Sequence, residues 1–326
     1  MRYLNKELIK ILDLLSDGKL HSDITIEQQL NIDQTTIWKA IKKLKSYQIP
    51  IKSLKNNGYY LTQPFVLLDK QKIIVSALKK KSIQLELLEK IGSTNDHLKI
   101  VSHKNKLVVC IAEMQIKGKG RFYRSWYSPF GQNIYLSLRY SFDKNISELT
   151  GLSLVCGLAV CCTIEKTCRF SLPVFIKWPN DIICENKKLA GILIEMQSGT
   201  HGFCLAIIGV GLNVNMQRDI KKKIDQDWTS LINVTKTYQD RNELCTELIK
   251  NLISYLEDFE KHGLIFFQNL WKEKDYLFNK SLYLITSNQK EFHGIGSGIN
   301  EQGNLILKLT GGLQKAFSSG EVTLMK

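Results

Sequence analysis

The sequence predicts a multidomain α+β protein, with a winged helix-turn-helix in front and a larger domain of mixed strands and helices behind it. Three observations predict this fold class. The chain has 326 residues, of which 44% are hydrophobic, and this is enough for more than one buried core. Its first part combines short amphipathic helices with a hairpin. After that, apolar strand-like segments alternate with longer helical patterns.

The composition is strongly basic. The chain carries 45 basic and 31 acidic residues, for a formal net charge of +14. A surface with this charge attracts anions, so we expect a nucleic acid, a phosphorylated substrate or an acidic protein as a partner. The alternative is that the charge only keeps the protein soluble.

Cysteine, histidine and hydropathy patterns exclude several classes of protein. The eight cysteines show no C-x-x-C spacing, and the histidines show no H-x-H or H-E-x-x-H spacing, so we expect reduced thiols and no structural metal. The N-terminus lacks the apolar core of a signal peptide, and the longest apolar segment, Gly151 to Ile164, is shorter than the roughly 18 residues that span a bilayer. We expect a buried helix there and a cytoplasmic protein without a membrane partner.

Three short helices are predicted at the front. Leucine and isoleucine recur at helical spacing between residues 4 and 15 and predict the first helix. The second is predicted to start at a capping box of Thr25 and Gln28 and to close at Asn31. Asp33 then caps a third helix. Its inward-facing residues are Ile37, Ala40, Ile41 and Leu44.

A hairpin follows the third helix. The segments IKSL and YYL are joined by Asn56-Asn57-Gly58, and an Asn-Gly pair tolerates the positive φ angles of a type I′ turn. Residues 34–68 contain six lysines and no acidic residue, so the third helix and this wing present a positive face that favours DNA. The alternative is a module for protein contacts with a solvated lysine face. The residues expected to contact DNA are Gln34, Thr35, Trp38, Lys39 and Lys42.

The centre of the chain predicts an α and β domain. Helices are predicted at residues 148–169 and 242–262, and functional residues are expected in the loops. The predicted strands are at residues 107–114, 133–140, 174–179, 189–196 and 203–215.

The segment QIKGKGRFYRSW, residues 115–126, places two glycines and four cationic side chains between two predicted strands. Glycines let the backbone approach a ligand, and lysine and arginine offset the charge of a phosphate or carboxylate. It is not a dinucleotide fingerprint, because Tyr123 stands at the third glycine position. It is not a P-loop either, because no glycine stands five residues before a Gly-Lys pair. Nucleotide binding and a basic hairpin that touches nucleic acid stay open as alternatives.

Further segments favour a nucleotide. In KWPND, Lys177 and Asp181 stand where a strand ends at a proline, and they can hold a phosphate with its Mg²⁺. Eleven residues after Lys177, the stretch KLAG adds the cation Lys188 beside the small residue Gly191. In GVGLN, small residues permit close approach of a ligand, and the Asn213 amide can pair with an adenine edge.

Together with the stretch GSTN at residues 92–95 and the C-terminal FSSGEVTL, these segments resemble the family of bifunctional biotin-protein ligases and biotin operon repressors, essentially from end to end. The resemblance implies a central mixed sheet with helices, like that of class II synthetases and of biotin and lipoate ligases. It also implies a final SH3-like barrel. The implied domains are residues 1–64, 65–278 and 279–326.

The resemblance assigns roles to the residues around biotin. Ser93, Thr94 and Gln115 would bind the ureido ring, which offers one acceptor and two donors. Arg121 and Lys188 would hold the biotin carboxylate and the ATP α-phosphate together, two anions that otherwise repel. The other residues expected around biotin are Asn95, Gly118, Lys119, Gly120 and Gly191.

On the nucleotide side, the resemblance implies that Lys177 and Asp181 bind the triphosphate, with Mg²⁺ near Asp181. Together with Arg121 and Lys188 they form the expected catalytic set. Trp126 would stack on or cover the adenine. The other residues expected around ATP or the adenylate are Arg124, Asn180, Gly209, Gly211 and Asn213.

The implied reaction activates biotin with ATP to give biotinoyl-5′-AMP and pyrophosphate. A lysine of the biotin carboxyl carrier protein then attacks the mixed anhydride, and neither step needs a protein nucleophile. The adenylate-bound protein is implied to form a homodimer on operator DNA. Two departures from the family lie in the basic loop, where Lys119 replaces a common arginine and Phe122-Tyr123 replaces an Arg-Gly pair found in some members.

Two rival functions share this scaffold. A lipoate-protein ligase would use the same adenylation chemistry, but its acyl pocket needs no urea-binding groups such as Ser93, Thr94 and Gln115. A ligand-sensing repressor without turnover would not need the full set of charged residues that this sequence retains.

Overall fold

A computed structural model describes residues 6–54, 57–77, 83–100, 107–168, 173–198, 203–217 and 224–325. The described chain forms a winged helix at the front, a seven-stranded mixed sheet with helices, and a five-stranded antiparallel sheet at the end. The predicted fold class is therefore confirmed. The predicted positions Leu4, Asn56 and Arg169 lie outside the described residues.

The winged helix contains α1 (Lys6–Leu15), α2 (Asp23–Leu30) and α3 (Gln34–Ser46). The inward residues predicted for α3 are all buried, and Asp33 caps it by accepting a hydrogen bond from the Thr36 N–H at 3.0 Å. The predicted start of α2 at Thr25 is wrong. The Ser22 hydroxyl accepts from the Thr25 N–H at 3.1 Å, so Ser22 is the cap and Thr25 already lies in the first turn.

The wing consists of β1 (Ile51–Leu54) and β2 (Gly58–Leu61), which pair antiparallel. Tyr59 of β2 also exchanges two backbone hydrogen bonds with His21, each 2.9 Å long. His21 directly precedes the cap of α2. The wing is therefore fixed to the helices through the backbone and does not depend on side-chain packing alone.

Seven strands of the described chain form the central sheet in the order β3-β4-β5-β9-β8-β7-β6, and only the β3 and β4 pair is parallel. β3 and β7 were not predicted. The predicted strand 174–179 ends at Lys177, because residues 178–180 turn the chain into β7. The strands are β3 (Ile83–Ile91), β4 (Leu107–Gln115), β5 (Ile134–Phe142), β6 (Val174–Lys177), β7 (Asp181–Cys184), β8 (Lys187–Ser198) and β9 (Cys204–Leu212).

Helices cover both faces of this sheet. α6 (Leu152–Thr167) and α8 (Arg241–His262) pack together on one face and form the main hydrophobic core with it. α5 (Thr94–Ile100) makes the crossover between the parallel strands and packs on the other face through Leu98. The remaining helices are α4 (Lys70–Ala77), α7 (Leu231–Thr235) and α9 (Gln268–Lys274).

The segment Ile146–Thr167 is long and apolar enough to cross a membrane by length and composition, which the sequence analysis did not anticipate. It packs as a core helix instead: 61% of its most apolar window is buried. In α6 itself, 11 of the 16 residues are buried. Its apolar sequence therefore reflects burial on all sides, as predicted for Gly151 to Ile164.

The C-terminal sheet has the order β13-β12-β11-β10-β14 and is antiparallel throughout. Its buried leucines belong to the same hydrophobic cluster as the central sheet. The Trp178 indole N–H donates to the Gly303 carbonyl at 3.0 Å across this contact. The strands are β10 (Ser281–Ile285), β11 (Glu291–Ile299), β12 (Leu305–Leu309), β13 (Gln314–Phe317) and β14 (Glu321–Leu324).

The winged helix is completed by a ring from the central domain. Phe130, which precedes β5, is 1% exposed and belongs to the winged-helix core. Its ring stacks on Tyr47 after α3 at 4.4 Å between centroids and on Phe65 at 6.4 Å. The two domains therefore share one hydrophobic core at this point.

A buried ion pair fixes the connection between the two domains. Arg241 Nη1 lies 2.7 Å from Glu113 Oε2, and the two side chains are 1% and 5% exposed. The other Glu113 oxygen accepts from the Leu68 N–H, and Arg241 donates to the carbonyl of Val66. The linker after the winged helix is thus held against β4 of the central sheet and the start of α8.

Glu113→Gln should destabilise the protein by about 3–5 kcal/mol, because it leaves the Arg241 charge buried without its counter-ion. Glu247→Gln is the matched control, since Glu247 pairs with Lys250 at the surface of α8, where such pairs contribute about 0–1 kcal/mol. Denaturant unfolding would measure both. Equal stability of the two variants would contradict the role given to Glu113.

Candidate active site

One cavity of about 320 Å³ brings together most of the predicted site residues. It lies where α5 begins, at the ends of β4, β8 and β9, and beneath the basic loop 115–126. The predicted residues that line it are Ser93, Thr94, Asn95, Gln115, Lys119, Gly120, Arg121, Arg124, Trp126, Lys177, Asn180, Asp181, Lys188, Gly191, Gly209 and Gly211. An adjoining cavity of about 490 Å³ shares Arg124, Trp126 and Lys188 and adds Asn213.

A hydrogen-bonded network of neutral groups forms one end of the cavity. The backbone N–H and the hydroxyl of Thr94 donate to Gln115 Oε1 at 2.9 and 3.0 Å. The Gln115 amide donates to the Ser128 hydroxyl at 3.1 Å, which in turn donates to the Trp126 carbonyl. This network fixes which way the Gln115 amide points. Neutral donors and acceptors held in place suit a neutral polar ligand group.

Asn95 has a structural role in this arrangement. It is 4% exposed, and its amide nitrogen donates to Glu195 Oε2 at 2.9 Å, while its oxygen accepts from the Ser137 hydroxyl at 2.6 Å. A Cβ atom at Gly209 would lie 2.3 Å from that oxygen. Asn95 therefore anchors the start of α5 to β5, β8 and β9, and Gly209 leaves the space it needs.

Cations surround Asp181 at the other end. Lys177 and Asp181 are opposite each other across the β6 and β7 hairpin, and Asp181 is opposite Gly191 of β8. Lys188 Nζ lies 2.8 Å from Asp181 Oδ1. Arg121 Nη1 donates to Asn180 Oδ1 at 3.1 Å in the turn of that hairpin. Three positive charges therefore converge on one carboxylate, and this favours an anionic ligand.

Burial perturbs two of these cations. It lowers the pKa of the Lys177 ammonium, against the opposing effect of Asp181, and nearby Lys188 acts in the same direction as burial. Burial also lowers the pKa of the Arg121 guanidinium, and Asp181 and Glu321 oppose it. Because the site holds more positive charge than its carboxylates balance, a bound anion would stabilise the charged forms.

The basic loop folds back on itself as a small hairpin. The N–H groups of Gly120 and Trp126 donate to the carbonyls of Arg124 and Gly118, at 2.7 and 2.8 Å. Gly118 itself does not line the cavity, but a Cβ there would lie 2.5 Å from the Trp126 carbonyl oxygen. Gly118 is therefore needed for the close packing of the backbone within the loop.

Two cationic residues of the loop form ion pairs with acidic residues of different elements. Lys119 Nζ lies 2.7 Å from the carboxylate of Asp96 in α5. Arg124 Nη2 lies 2.5 Å from Glu321 in β14. The loop is thus tied to α5 on one side and to the C-terminal sheet on the other.

Trp126 lies across the sheet where two glycines leave room. A Cβ atom at Gly211 would come within 2.4 Å of the indole, and one at Gly191 within 3.1 Å. Lys188 Nζ lies 5.5 Å from the ring centroid. The Asn213 amide nitrogen donates to the Thr229 carbonyl at 3.0 Å, so this side chain also holds the segment that borders the second cavity.

Sequence reasoning missed three polar residues of the site. Ser128 and Ser137 are 5% and 0% exposed and orient Gln115, Thr94 and Asn95. Glu321 lines the cavity from the C-terminal sheet. Only Glu321 lies in a motif that the sequence analysis had singled out, FSSGEVTL. The serines carry no local signal for their role, because the side chains that they orient are distant in sequence.

The residues predicted to contact DNA form a surface on α3. All five are exposed, including Trp38 at 56%. Lys42 Nζ lies 4.9 Å from the Trp38 ring centroid, so the ring and the cation form one patch. This surface lies outside the cavity described above.

Family comparisons agree with this architecture. Residues 87–213 match the biotin/lipoate A/B protein ligase family, residues 7–60 match a helix-turn-helix (HTH) domain, and residues 284–325 match the biotin protein ligase C-terminal domain. The fold and the site thus define a biotin or lipoate protein ligase that carries an additional helix-turn-helix domain.

Individual relatives narrow this class. The chain is 34% identical to the bifunctional ligase/repressor BirA of Escherichia coli (strain K12), over 97% of this chain and 96% of that protein. It is 27% identical to the corresponding protein of Bacillus subtilis (strain 168), over 97% of each. The biotin protein ligase from Aquifex aeolicus in complex with biotin and ATP superposes with a TM-score of 0.62 and 28% identity, covering 74% of this chain and 99% of that one. The chain belongs to the family of bifunctional biotin ligase/repressors.

Proposed function

We propose that the protein activates biotin with ATP to biotinoyl-5′-AMP and transfers the biotin to a lysine of the biotin carboxyl carrier protein of acetyl-CoA carboxylase. We further propose that it represses biotin operon transcription with the adenylate as corepressor. The observation that carries the ligase activity is the cavity itself, which joins a neutral hydrogen-bonding end at Gln115 to a cationic end at Lys177, Lys188 and Arg121.

The neutral end matches the biotin head group. A urea offers one acceptor and two donors, and the hydroxyls of Ser93 and Thr94 and the amide of Gln115 lie together at this end. Fixed groups of this kind recognise the ring without a charge. A lipoyl ring has no urea that could use these donors and acceptors, which disfavours a lipoate ligase.

The cationic end matches the reacting anions. Arg121 and Lys188 line the same cavity, and there they would hold the biotin carboxylate against the α-phosphate. The carboxylate oxygen attacks the α-phosphorus, and pyrophosphate leaves with the electron pair of the broken bond. The positive groups stabilise the charge that develops in this step. Lys177 would bind the departing phosphates.

A magnesium ion brought by ATP would take Asp181 as its protein ligand. Mg²⁺ is commonly bound through one or two carboxylates together with phosphate oxygens, and Asp181 is the carboxylate that lies among the phosphate-binding lysines. When bound, the metal would neutralise charge on the triphosphate. The Lys188 ammonium, now 2.8 Å from Asp181, would then be free to face the substrate anions.

Trp126, Arg124 and Asn213 border the second cavity, where the adenosine part would lie.

Each proposed domain would have its own role: residues 1–64 would bind operator DNA, residues 65–278 would carry out ligation, and residues 279–326 would supply Glu321 to the rim of the cavity. The adenylate-bound protein would form a homodimer on a palindromic operator. Because its proposed partners are operator DNA and the biotin carboxyl carrier protein, we expect the protein in the cytoplasm.

A gel-shift assay tests operator binding on DNA from upstream of the organism's biotin genes, with and without biotin plus ATP. Biotin transfer to a carrier domain, measured alongside, tests the ligase activity. Transfer with adenylate-dependent binding is the expected result. A shift without transfer would favour a ligand-sensing repressor, and pyrophosphate release with lipoate in place of biotin would favour a lipoate ligase.

Lys188→Ala should lower the rate of pyrophosphate release with biotin and ATP by about 10²–10³-fold, because one preorganised cation at the reacting anions is lost. Thermal unfolding would check that the variant is folded. Lys187→Ala is the matched control, since Lys187 is the preceding residue of β8 and lies outside the cavity. Normal turnover by the Lys188 variant would remove this residue from the catalytic set.

Lys39→Ala and Lys42→Ala should each weaken operator binding and reduce the slope of log affinity against log salt by about 1, if each lysine neutralises one phosphate. Biotin transfer should be unchanged. Lys272→Ala in α9 removes the same charge from an exposed position far from α3 in sequence. Equal salt slopes in all variants would show that α3 does not contact the phosphates.

A further inference from the structure

We propose that Phe122 is a positioning residue for Arg121: its ring holds the guanidinium at the place where the carboxylate and the α-phosphate meet. This inference rests on the proposed function, in which Arg121 binds the two anions. It adds a residue to the site that sequence reasoning treated only as a departure from the family.

The contact is direct. The guanidinium carbon of Arg121 lies 4.9 Å from the centroid of the Phe122 ring. At the same time Arg121 Nη1 donates to Asn180 Oδ1 at 3.1 Å, and the Asn180 amide is anchored to the Ile192 carbonyl at 2.8 Å. An anchored amide therefore fixes one edge of the planar guanidinium, and an aromatic ring covers it. Both Arg121 and Phe122 line the cavity.

The backbone of the loop presents this ring in an unusual way. Phe122 and Tyr123 have φ angles of +53° and +59°, in the left-handed region that non-glycine residues disfavour. The turn is closed by the Arg124 N–H, which donates to the Arg121 carbonyl at 3.1 Å. The two aromatic residues differ within this turn: Phe122 is 49% exposed and contacts Arg121, whereas Tyr123 is fully exposed.

An aromatic ring suits this task for a chemical reason. A carboxylate placed against Arg121 would occupy its N–H donors and compete with the substrate anions. A ring attracts the guanidinium through its face and restricts its motion while leaving the in-plane donors available. Arg121 would thus be preorganised before biotin and ATP bind, and less ordering would be needed at that moment.

The test is the kinetics of pyrophosphate release by the full chain with biotin and ATP. Phe122→Ala should lower kcat/KM for biotin by about 3- to 30-fold, the range of a lost cation–π contact. Phe122→Trp should retain activity within about twofold, because it keeps an aromatic face. Tyr123→Ala is the matched control, since it changes the neighbouring aromatic residue of the same turn, and it should also stay within about twofold.

Two further variants separate positioning from backbone effects. Phe122→Gly removes the ring and also accepts the positive φ angle, so it should be at least as impaired as Phe122→Ala if the ring matters. In an Arg121→Ala background, Phe122→Ala should add no further loss, since the residue that it positions is gone. Thermal unfolding of each variant checks that the fold is intact.

Unchanged turnover by Phe122→Ala would overturn the inference, as would full activity of Phe122→Gly or an equal loss in the Arg121→Ala background. In each of those cases the unmodified chain still releases pyrophosphate, and the ligase function stands. Absence of pyrophosphate release by the unmodified chain would count against the proposed function itself.

Discussion

The buried pair of Glu113 and Arg241 is the constraint on which the arrangement of the domains depends. Glu113 lies on β4, two residues before Gln115 begins the basic loop, and Arg241 begins α8. The pair also bonds to the linker at Val66 and Leu68, and Arg241 donates to the Asn133 carbonyl just before β5. A buried charge pair is costly to break. It therefore fixes the linker after the winged helix, the long helix α8 and the strand that leads into the basic loop relative to one another.

The basic loop 115–126 begins next to this ion pair and connects the cavity with the winged helix. The loop carries Gln115 and three of the cations that line the cavity, and after it the chain places Phe130 in the winged-helix core beside Tyr47. Ser128 links the cavity to the winged-helix core, because its hydroxyl accepts a hydrogen bond from Gln115 and it lies two residues before Phe130 in the chain. Ordering of this loop by a ligand would therefore act on a segment that the winged helix shares.

Charge balance explains the chemistry of the site. Arg121, Lys177 and Lys188 converge on Asp181, and this excess of positive charge is unfavourable until anions arrive. In the proposed reaction, the same balance means that the protein needs no nucleophile of its own. Two anions that repel each other in water would become neighbours in a pocket that attracts both, and the attack would follow from their placement.

The sequence by itself determined the elements whose signals are local. The periodicity of α3, its cap at Asp33, the apolar run of α6 and the motif segments of the site all depend on neighbours a few residues apart. The tertiary structure alone decided β3 and β7, the anchoring role of Asn95 and the entry of Glu321 into the cavity. Sequence patterns could not give these, because each depends on groups brought together by the folded sheet, and a side chain's partner across a sheet leaves no mark on its own local spacing.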